Sequence, residues 1–324
     1  MTDITNTPYA NLSPDLILDA VESMGFRCNG GLFALNSYEN RVYQIGIEDS
    51  APLIAKFYRP QRWSDETILE EHQFALELAE HEIPVVAPWV SADKKTLHQF
   101  QDFRFALFPR WSGRALEVDS LDQLEWMGRF IGRLHAVGAT HPFAHRPQLD
   151  VQTHGHASYR YLLENNFIPA ELKENYCMTV EALLQKIEQR FAQAMPFHNI
   201  RLHGDIHAGN VLWSEAGPHI VDLDDCVMGP AMQDIWMLLS GDHNHVSIQL
   251  ERILRGYRQF HDFNLTEIGL IEALRTLRML NYSSWLASRW QDPAFPPSFP
   301  WFNTPRYWQD QLRDLREQMD ALGS

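Results

Sequence analysis

The stretch RLHGDIHAGNVLW, residues 201–213, followed by HIVDLDD, residues 219–225, constrains this chain more than any other. Its polar residues can meet only across a tight loop and a hairpin. Residues 211–213 and 219–222 read as short apolar strands, and SEAGP between them supplies turn residues. Pairing Trp213 with His219 puts Asn210 opposite Asp222, with side chains about 5 Å apart. An amide oxygen and a carboxylate at that separation can share one or two Mg²⁺ ions, which can bridge nucleotide phosphates. Asp205, on the loop before the hairpin, is expected to point at the same spot. The arrangement suits phosphoryl transfer.

A chain of 324 residues exceeds one small core and suits two lobes. Its 45% hydrophobic and 12% aromatic content belongs to a packed globular protein. A formal net charge of −15 excludes a general nucleic-acid binder and disfavours an anionic membrane surface, though a local basic pocket is compatible with it. Cys28, Cys177 and Cys226 show neither CxxC nor metal-ligand spacing, which suits a reducing cytosol. The first fifteen residues lack a basic segment and an apolar core of the secretory kind, and no apolar run of about 18 residues occurs. A cytoplasmic monomer with no membrane and no nucleic-acid partner is the expectation.

Ser13 reads as an N-cap, Pro14 as the first helical position and Gly25 as the stop of a short helix. NRVYQIGI, PLIAKFYR and FRFALFPR are strand-like, and EIPVVAPWV is a proline-punctuated return. Between them DETILEEHQFALELAEHE has helical apolar spacing at Ile68, Leu69, His72, Ala75, Leu76 and Ala79. Beyond about Trp111 five helical patterns follow, with the hairpin between the second and third. The spacing therefore predicts an α+β, bilobal fold. Residues 1–110 form a small antiparallel β lobe with one helix, covering the nucleotide. Residues 111–324 form a larger, mainly helical lobe with the catalytic loop and metal site, joined to the first near Arg110–Gly113. GxxxG at Gly128–Gly132 means close helix packing.

The order His203, Asp205, Asn210, Asp222 forms HxDxxxxN followed by D. Asp205 can accept a hydrogen bond from an acceptor hydroxyl, and Asn210 with Asp222 can hold metal. Two other readings compete: a turn with capping roles, and an HxDxH zinc-type hydrolase site of His203, Asp205 and His207. Lys56 sits mid-strand among apolar residues, where a lysine needs an anion. Glu71, fifteen residues on in the helix, can orient it onto phosphates; Glu70 lies beside it and spacing does not separate them. Neither GxGxxG nor GxxxxGK[ST] occurs, so Asn36, Ser37 and Asn40 in LNSYENRVY are the available phosphate donors, unless that segment is a plain hairpin turn. Asp234 suits bonding to backbone around residues 203–205, and His203 suits a supporting role. Arg114, Arg275, Arg278 and Arg289 are candidate contacts to a substrate phosphate or an acidic peptide, although single helical arginines are usually solvated or paired. Trp236, Tyr282, Trp285, Trp290, Trp301 and Trp308 are more often core than ligand box.

At these residues the chain resembles the aminoglycoside phosphotransferase/choline kinase group of protein-kinase-like enzymes. The group's H-G-D-x-x-x-x-N and following aspartate match His203-Gly204-Asp205, Asn210 and Asp222. Its strand lysine matches Lys56, and its helix glutamate matches Glu71, upstream of Ile83-Pro84. Its helix aspartate matches Asp234, and the group typically lacks a glycine-rich loop. Within it, LNSYENRVYQ, FYRP.RW, EEHQFALEL, RLHGD.HAGN.LW, VDLDD, GPA.QD.WMLL and W.DPAFP..FPW resemble the bacterial stress response kinase A family, from about Ser13 to Trp308. That resemblance implies a serine/threonine protein kinase using ATP and Mg²⁺, with a protein as acceptor. It implies Asp205 and Asp222 as catalytic residues, Ser37, Lys56 and Glu71 at the ATP, and Asn210 with Asp222 at the metal. A choline- or aminoglycoside-kinase-like small-alcohol kinase is the main alternative, with the aromatic residues as a cage for a cationic ligand. A nucleotide-binding module without catalysis is a further one.

Overall fold

Ser13 and Pro14 start the first helix as their chemistry dictates: the Ser13 hydroxyl accepts from the Leu16 N–H at 3.2 Å, and α1 runs Pro14–Glu22. The computed structural model describes residues 8–323, so the first seven residues of the N-terminal stretch lie outside the described residues. Gly25, at φ +90°, turns the chain out of α1 toward β1, Cys28–Ala34. Then come β2 (Arg41–Ile47), β3 (Leu53–Phe57), α2 (Asp65–Glu80), β4 (His98–Phe100) and β5 (Phe103–Pro109). The five strands form one antiparallel sheet in the order β1-β2-β3-β5-β4. Strand alternation sorts its two faces. Ile45, Ala55, Phe57, Phe105 and Leu107 pack with Leu16, Ile17 and Val21 of α1. Lys56, between Ala55 and Phe57, projects to the opposite face, where Tyr58 and Ala106 pack with Ile68 of α2. The helix with the candidate glutamate therefore covers the face with the candidate lysine.

The proline-punctuated return forms no strand. It joins the sheet to the later hairpin, with Val86 N–H donating to the Ile220 carbonyl at 3.0 Å and Trp89 N–H to that of Leu107 at 2.7 Å. The rest of the chain is mainly helical. After β6 (Arg114–Ala115) follow α3 (Leu121–Gly138), a π-helical turn over Val151–His156, α4 (Ala157–Glu164) and α5 (Ala170–Ala194). Next come β7 (Ile200–Leu202), β8 (Val211–Ser214), β9 (Gly217–Ile220), β10 (Val227–Gly229), α6 (Met232–Trp236) and α7 (His243–Tyr257). The chain closes with α8 (Ile271–Arg289), α9 (Phe295–Ser298) and α10 (Pro305–Ala321). The architecture is an antiparallel-sheet lobe followed by a mainly helical lobe, the α+β bilobal arrangement that the pattern predicts.

One contact packs the helical lobe and another ties it to α2. Gly128 and Gly132 let α3 lie directly on α7, because a Cβ at either would stand 2.0 Å from the Ile253 carbonyl oxygen or 2.5 Å from that of Tyr257. Arg201 on β7 is buried and forms a fork with Glu77 of α2, at 2.7 and 3.1 Å, which ties the glutamate-bearing helix to the strand leading into the loop at 203–210. Among the described residues no helix is long and apolar enough to cross a membrane.

Candidate active site

The loop after β7 is built on Asp234. Its carboxylate accepts from the N–H groups of His203 at 2.9 Å and Gly204 at 2.8 Å, and also bonds His135 at 3.1 Å. This is the scaffold position expected of Asp234. Gly204 has φ +86°, and a Cβ there would stand 2.4 Å from the Asp225 carbonyl oxygen, so only glycine fits the turn. His203 is fully buried: Nε2 donates to the Val221 carbonyl at 3.0 Å, and Nδ1 accepts from the Asp205 N–H at 3.3 Å. With both ring nitrogens committed to backbone, His203 has none left for the HxDxH metal arrangement.

The hairpin has a different register from the one expected. Trp213 pairs with Pro218, Leu212 with His219 and Val211 with Ile220, so each partner of β8 is shifted by one residue. The cause is a turn of only two residues, Glu215 and Ala216, inside SEAGP. The Ser214 hydroxyl accepts from the Ala216 N–H at 3.2 Å and donates to the Gly217 carbonyl at 3.1 Å, which draws Gly217 and Pro218 into β9. Asn210 consequently faces Val221, whose N–H donates to its carbonyl at 3.0 Å. Asp222 lies past the strand at φ +63°, ψ +70°, a left-handed conformation that costs a non-glycine residue on the order of 1 kcal/mol.

The twist at Asp222 aims its carboxylate at Lys56. Lys56 Nζ lies 3.2 Å from Glu71 Oε1, 3.3 Å from Asp222 Oδ1 and 3.0 Å from Asp224 Oδ1. Burial opposes the lysine charge, but the Asp224, Glu71 and Asp222 carboxylates outweigh it and hold its pKa well above the ordinary value. Glu71 is buried as well, and burial pushes its carboxyl up to about 7 against the pull of Lys56. Glu70 is elsewhere. Its carboxylate accepts from the N–H groups of Ala144, His145 and Arg146 at 2.6, 2.7 and 2.8 Å, so Glu71 is the partner of Lys56.

Ser37, Lys56, Glu71, Asn210 and Asp222 line one cavity of about 490 Å³ between sheet and hairpin, with Val42, Ile54 and Phe108 among its apolar walls. The Ser37 hydroxyl donates to the Asn40 carbonyl at 3.1 Å. The Asn40 side chain is buried and accepts from the Arg59 N–H at 3.0 Å, which makes it a support for the loop. Asn210 Nδ2 donates to the Asp205 carbonyl at 3.0 Å, leaving the amide oxygen without a bond inside the described residues. That oxygen and the 55% exposed carboxylate of Asp222 are the donor class that hard divalent cations take.

Asp205 does not share this cavity. It lines a second one, of about 550 Å³, together with Arg62, Arg278 and Trp285. Its Oδ1 accepts from Arg278 Nη1 at 2.7 Å, and its Oδ2 lies 3.5 Å from His207 Nε2. Burial alone would raise the Asp205 pKa; the His207 hydrogen bond and the Arg278 charge outweigh it and hold the carboxyl below the ordinary range. The cavities thus meet across the Asp205–Asn210 bond. Asp224, Arg62 and Arg146 were not singled out by the sequence, yet they complete the site. Asp224 is buried and ion-paired to both Lys56 and Arg62, while Arg146 donates to the carbonyls of Cys226 and Asp224. The acidic run in VDLDD and the arginines of FYRPQRW were the available signals for Asp224 and Arg62; Arg146 had none. Of the other singled-out arginines, Arg114 pairs with Glu117, Arg275 with Glu272 and Arg289 with Glu39.

The model of the phosphotransferase enzyme family matches residues 33–271. Stress response kinase A of Escherichia coli (strain K12) is 45% identical over 314 residues, covering 97% of this chain and 94% of that protein. Serine/threonine protein kinase RdoA of Salmonella typhimurium is 44% identical over 314 residues, with the same coverage. Among solved structures, a microcompartment-associated aminopropanol kinase is similar with a TM-score of 0.73 at 17% identity, covering 96% of this chain and 99% of that one. The amicoumacin kinase hAmiN, in complex with AMP-PNP, Ca²⁺ and Ami, gives a TM-score of 0.72 at 18% identity, with 92% of each chain covered.

Proposed function

The chain belongs to the phosphotransferase enzyme family, and on that premise we propose that it is a cytoplasmic, monomeric serine/threonine protein kinase of the stress response. It moves the γ-phosphoryl group of ATP to a protein hydroxyl. The lobes divide at residues 110 and 111, and the nucleotide occupies the cavity between them. Lys56, held by Glu71, grips the phosphates, and Ser37 covers them. Mg²⁺, which the Asn210 amide oxygen and the Asp222 carboxylate would hold, supplies charge neutralisation at the phosphates. Asp205 accepts the hydrogen bond of the acceptor hydroxyl from the second cavity and orients its oxygen. As that oxygen bonds to the γ-phosphorus, the bond to the β–γ bridging oxygen breaks. ADP leaves, and the hydroxyl proton passes to the Asp205 carboxylate. Positioning and charge carry most of the rate.

The observation that carries this reading is the meeting of two cavities at Asp205 and Asn210, one lined by Lys56, Glu71, Asn210 and Asp222 and the other open to an acceptor. The 550 Å³ volume beside Asp205 supports a second reading, a small alcohol as acceptor, since it suits a drug-sized ligand. The fold neighbours named as aminopropanol and amicoumacin kinases favour the same alternative. Incubation with labelled ATP and Mg²⁺, with and without a cell extract, separates the two. Label in protein bands that is lost with Asp205→Ala supports the protein kinase. Label confined to small molecules supports the alcohol kinase and overturns it.

A further inference from the structure

The second cavity is basic inside an acidic protein. Arg62, Arg146, Arg278 and Arg289 line it, and among the described residues Asp205 and Asp225 are its only carboxylates. Arg62 is occupied by Asp224 and Asp225, and Arg289 by Glu39. Arg146 is 6% exposed; its Nε and Nη2 are spent on carbonyls, and its Nη1 is buried with no partner among the described residues. Arg278 differs from all three. Its side chain is 42% exposed, Nη1 donates to Asp205, and Nε and Nη2 bond to nothing among the described residues.

Arg278 thus grips the carboxylate that has to receive the acceptor hydroxyl. A cationic acceptor would meet four guanidinium groups and find only Asp205 and Asp225 as lining carboxylates, each already paired to an arginine, so the cavity disfavours an ammonium group. Tyr282 and Trp285 stack on each other on the cavity wall, and Trp285 spends its Nε1–H on Glu39 at 2.6 Å. An acceptor with a carboxylate beside its hydroxyl has the opposite effect. It offers Arg278 a replacement partner and satisfies the unpaired guanidinium donors. We propose that Arg278 is a specificity-determining residue that selects an acidic peptide: a Glu or Asp beside the acceptor serine or threonine draws Arg278 off Asp205 and frees Oδ1 for the hydroxyl. The proposal rests on the protein-kinase reading above.

The test compares serine peptides identical except for Glu, Ala or Lys flanking the serine, with glycerate and ethanolamine as small-alcohol probes. The wild-type protein is expected to show kcat/KM for the Glu peptide roughly tenfold or more above that for the Ala peptide, with the Lys peptide lowest. Arg278→Gln removes the preference, through a raised KM for the Glu peptide with KM for ATP unchanged, and Arg278→Lys restores part of it. An equal or reversed preference in wild type, or a preference that survives Arg278→Gln, overturns the proposal, as does the absence of transfer to any acid-bearing probe. Transfer to glycerate but to no peptide, with the same Arg278 dependence, leaves anionic selection standing and removes the protein acceptor. Preference for ethanolamine removes both.

Discussion

Replacing Lys56 by Met removes the one amine that faces Glu71, Asp224 and Asp222 at 3.2, 3.0 and 3.3 Å. Stranding a buried charge by deleting its partner costs about 3–5 kcal/mol when the survivor must stay ionised. Two features of this site keep the cost lower. Burial already pushes the Glu71 carboxyl up to about 7, so without Lys56 it becomes neutral near pH 7 at little expense. Asp224 keeps its ion pair with Arg62 and the charge of Arg146. We expect a stability loss of about 1–2 kcal/mol, read from urea melts. Turnover should fall much further, by roughly 10²-fold, equivalent to about 2.7 kcal/mol of barrier, because Lys56 is the one amine lining that cavity among the described residues. Glu71→Gln keeps an acceptor for Nζ and leaves Asp224 and Asp222 in place, so its loss should be roughly tenfold. Both residues act through one contact, and the double variant should be about as poor as Lys56→Met alone. kcat/KM for ATP in the three variants decides the matter. Losses that multiply, or near-parental turnover in Lys56→Met, would refute the coupled pair.

Three further outcomes are expected. Asp222→Asn should weaken Mg²⁺–ATP binding and shift activity to higher metal concentration or to Mn²⁺, and an unchanged metal titration would remove Asp222 from the metal site. His72 is buried and neutral between the Tyr58 hydroxyl at 2.6 Å and the Thr96 hydroxyl at 2.8 Å, and burial lowers its pKa to about 3. Its folded pKa lies below its unfolded value, so its contribution is present above about pH 6.5 and is lost as pH falls below it. That amounts to about 2 kcal/mol between pH 7 and pH 5. His72→Gln should flatten this slope in urea melts at the two pH values, and identical slopes would contradict it. Gly204→Ala puts a Cβ 2.4 Å from the Asp225 carbonyl oxygen at φ +86° and should lower stability by roughly 2 kcal/mol or more, whereas a loss below about 0.5 kcal/mol would show that the turn relaxes freely.

Much of the site was legible because it is local. Lys56 is flanked by Ala55 and Phe57, and strand alternation alone sends it to the α2 face, where Glu71 follows one turn behind Thr67 and Ile68. Asp234 was readable because Gly229-Pro230 places it at the start of a short helix under the loop. The hairpin register was not readable. SEAGP accommodates turns of several lengths, and the two-residue form depends on the Ser214 hydroxyl closing onto Ala216 and Gly217. Nor could spacing distinguish Glu70 from Glu71, since the choice is made by backbone at 144–146, more than seventy residues away. The arginines met the same limit. Arg278 and Arg289 lie on one helix, but only the fold brings Asp205 to the first and Glu39 to the second. The aromatic tail was legible as core only in part: Trp308 is buried against Tyr176 and Trp290 packs on Phe302, whereas Trp301 is exposed and Tyr282 and Trp285 line the second cavity.

The most direct test of the account is Asp205→Ala, measured for Mg²⁺–ATP binding by calorimetry and for label transfer to protein. Asp205 lines the second cavity and is joined to the first through the bond that its backbone carbonyl accepts from Asn210. ATP should therefore bind with nearly the parental Kd while kcat falls roughly 10²–10⁴-fold, the range for loss of a general base. Transfer close to the parental rate would contradict the account, and so would loss of ATP binding in a variant that remains folded.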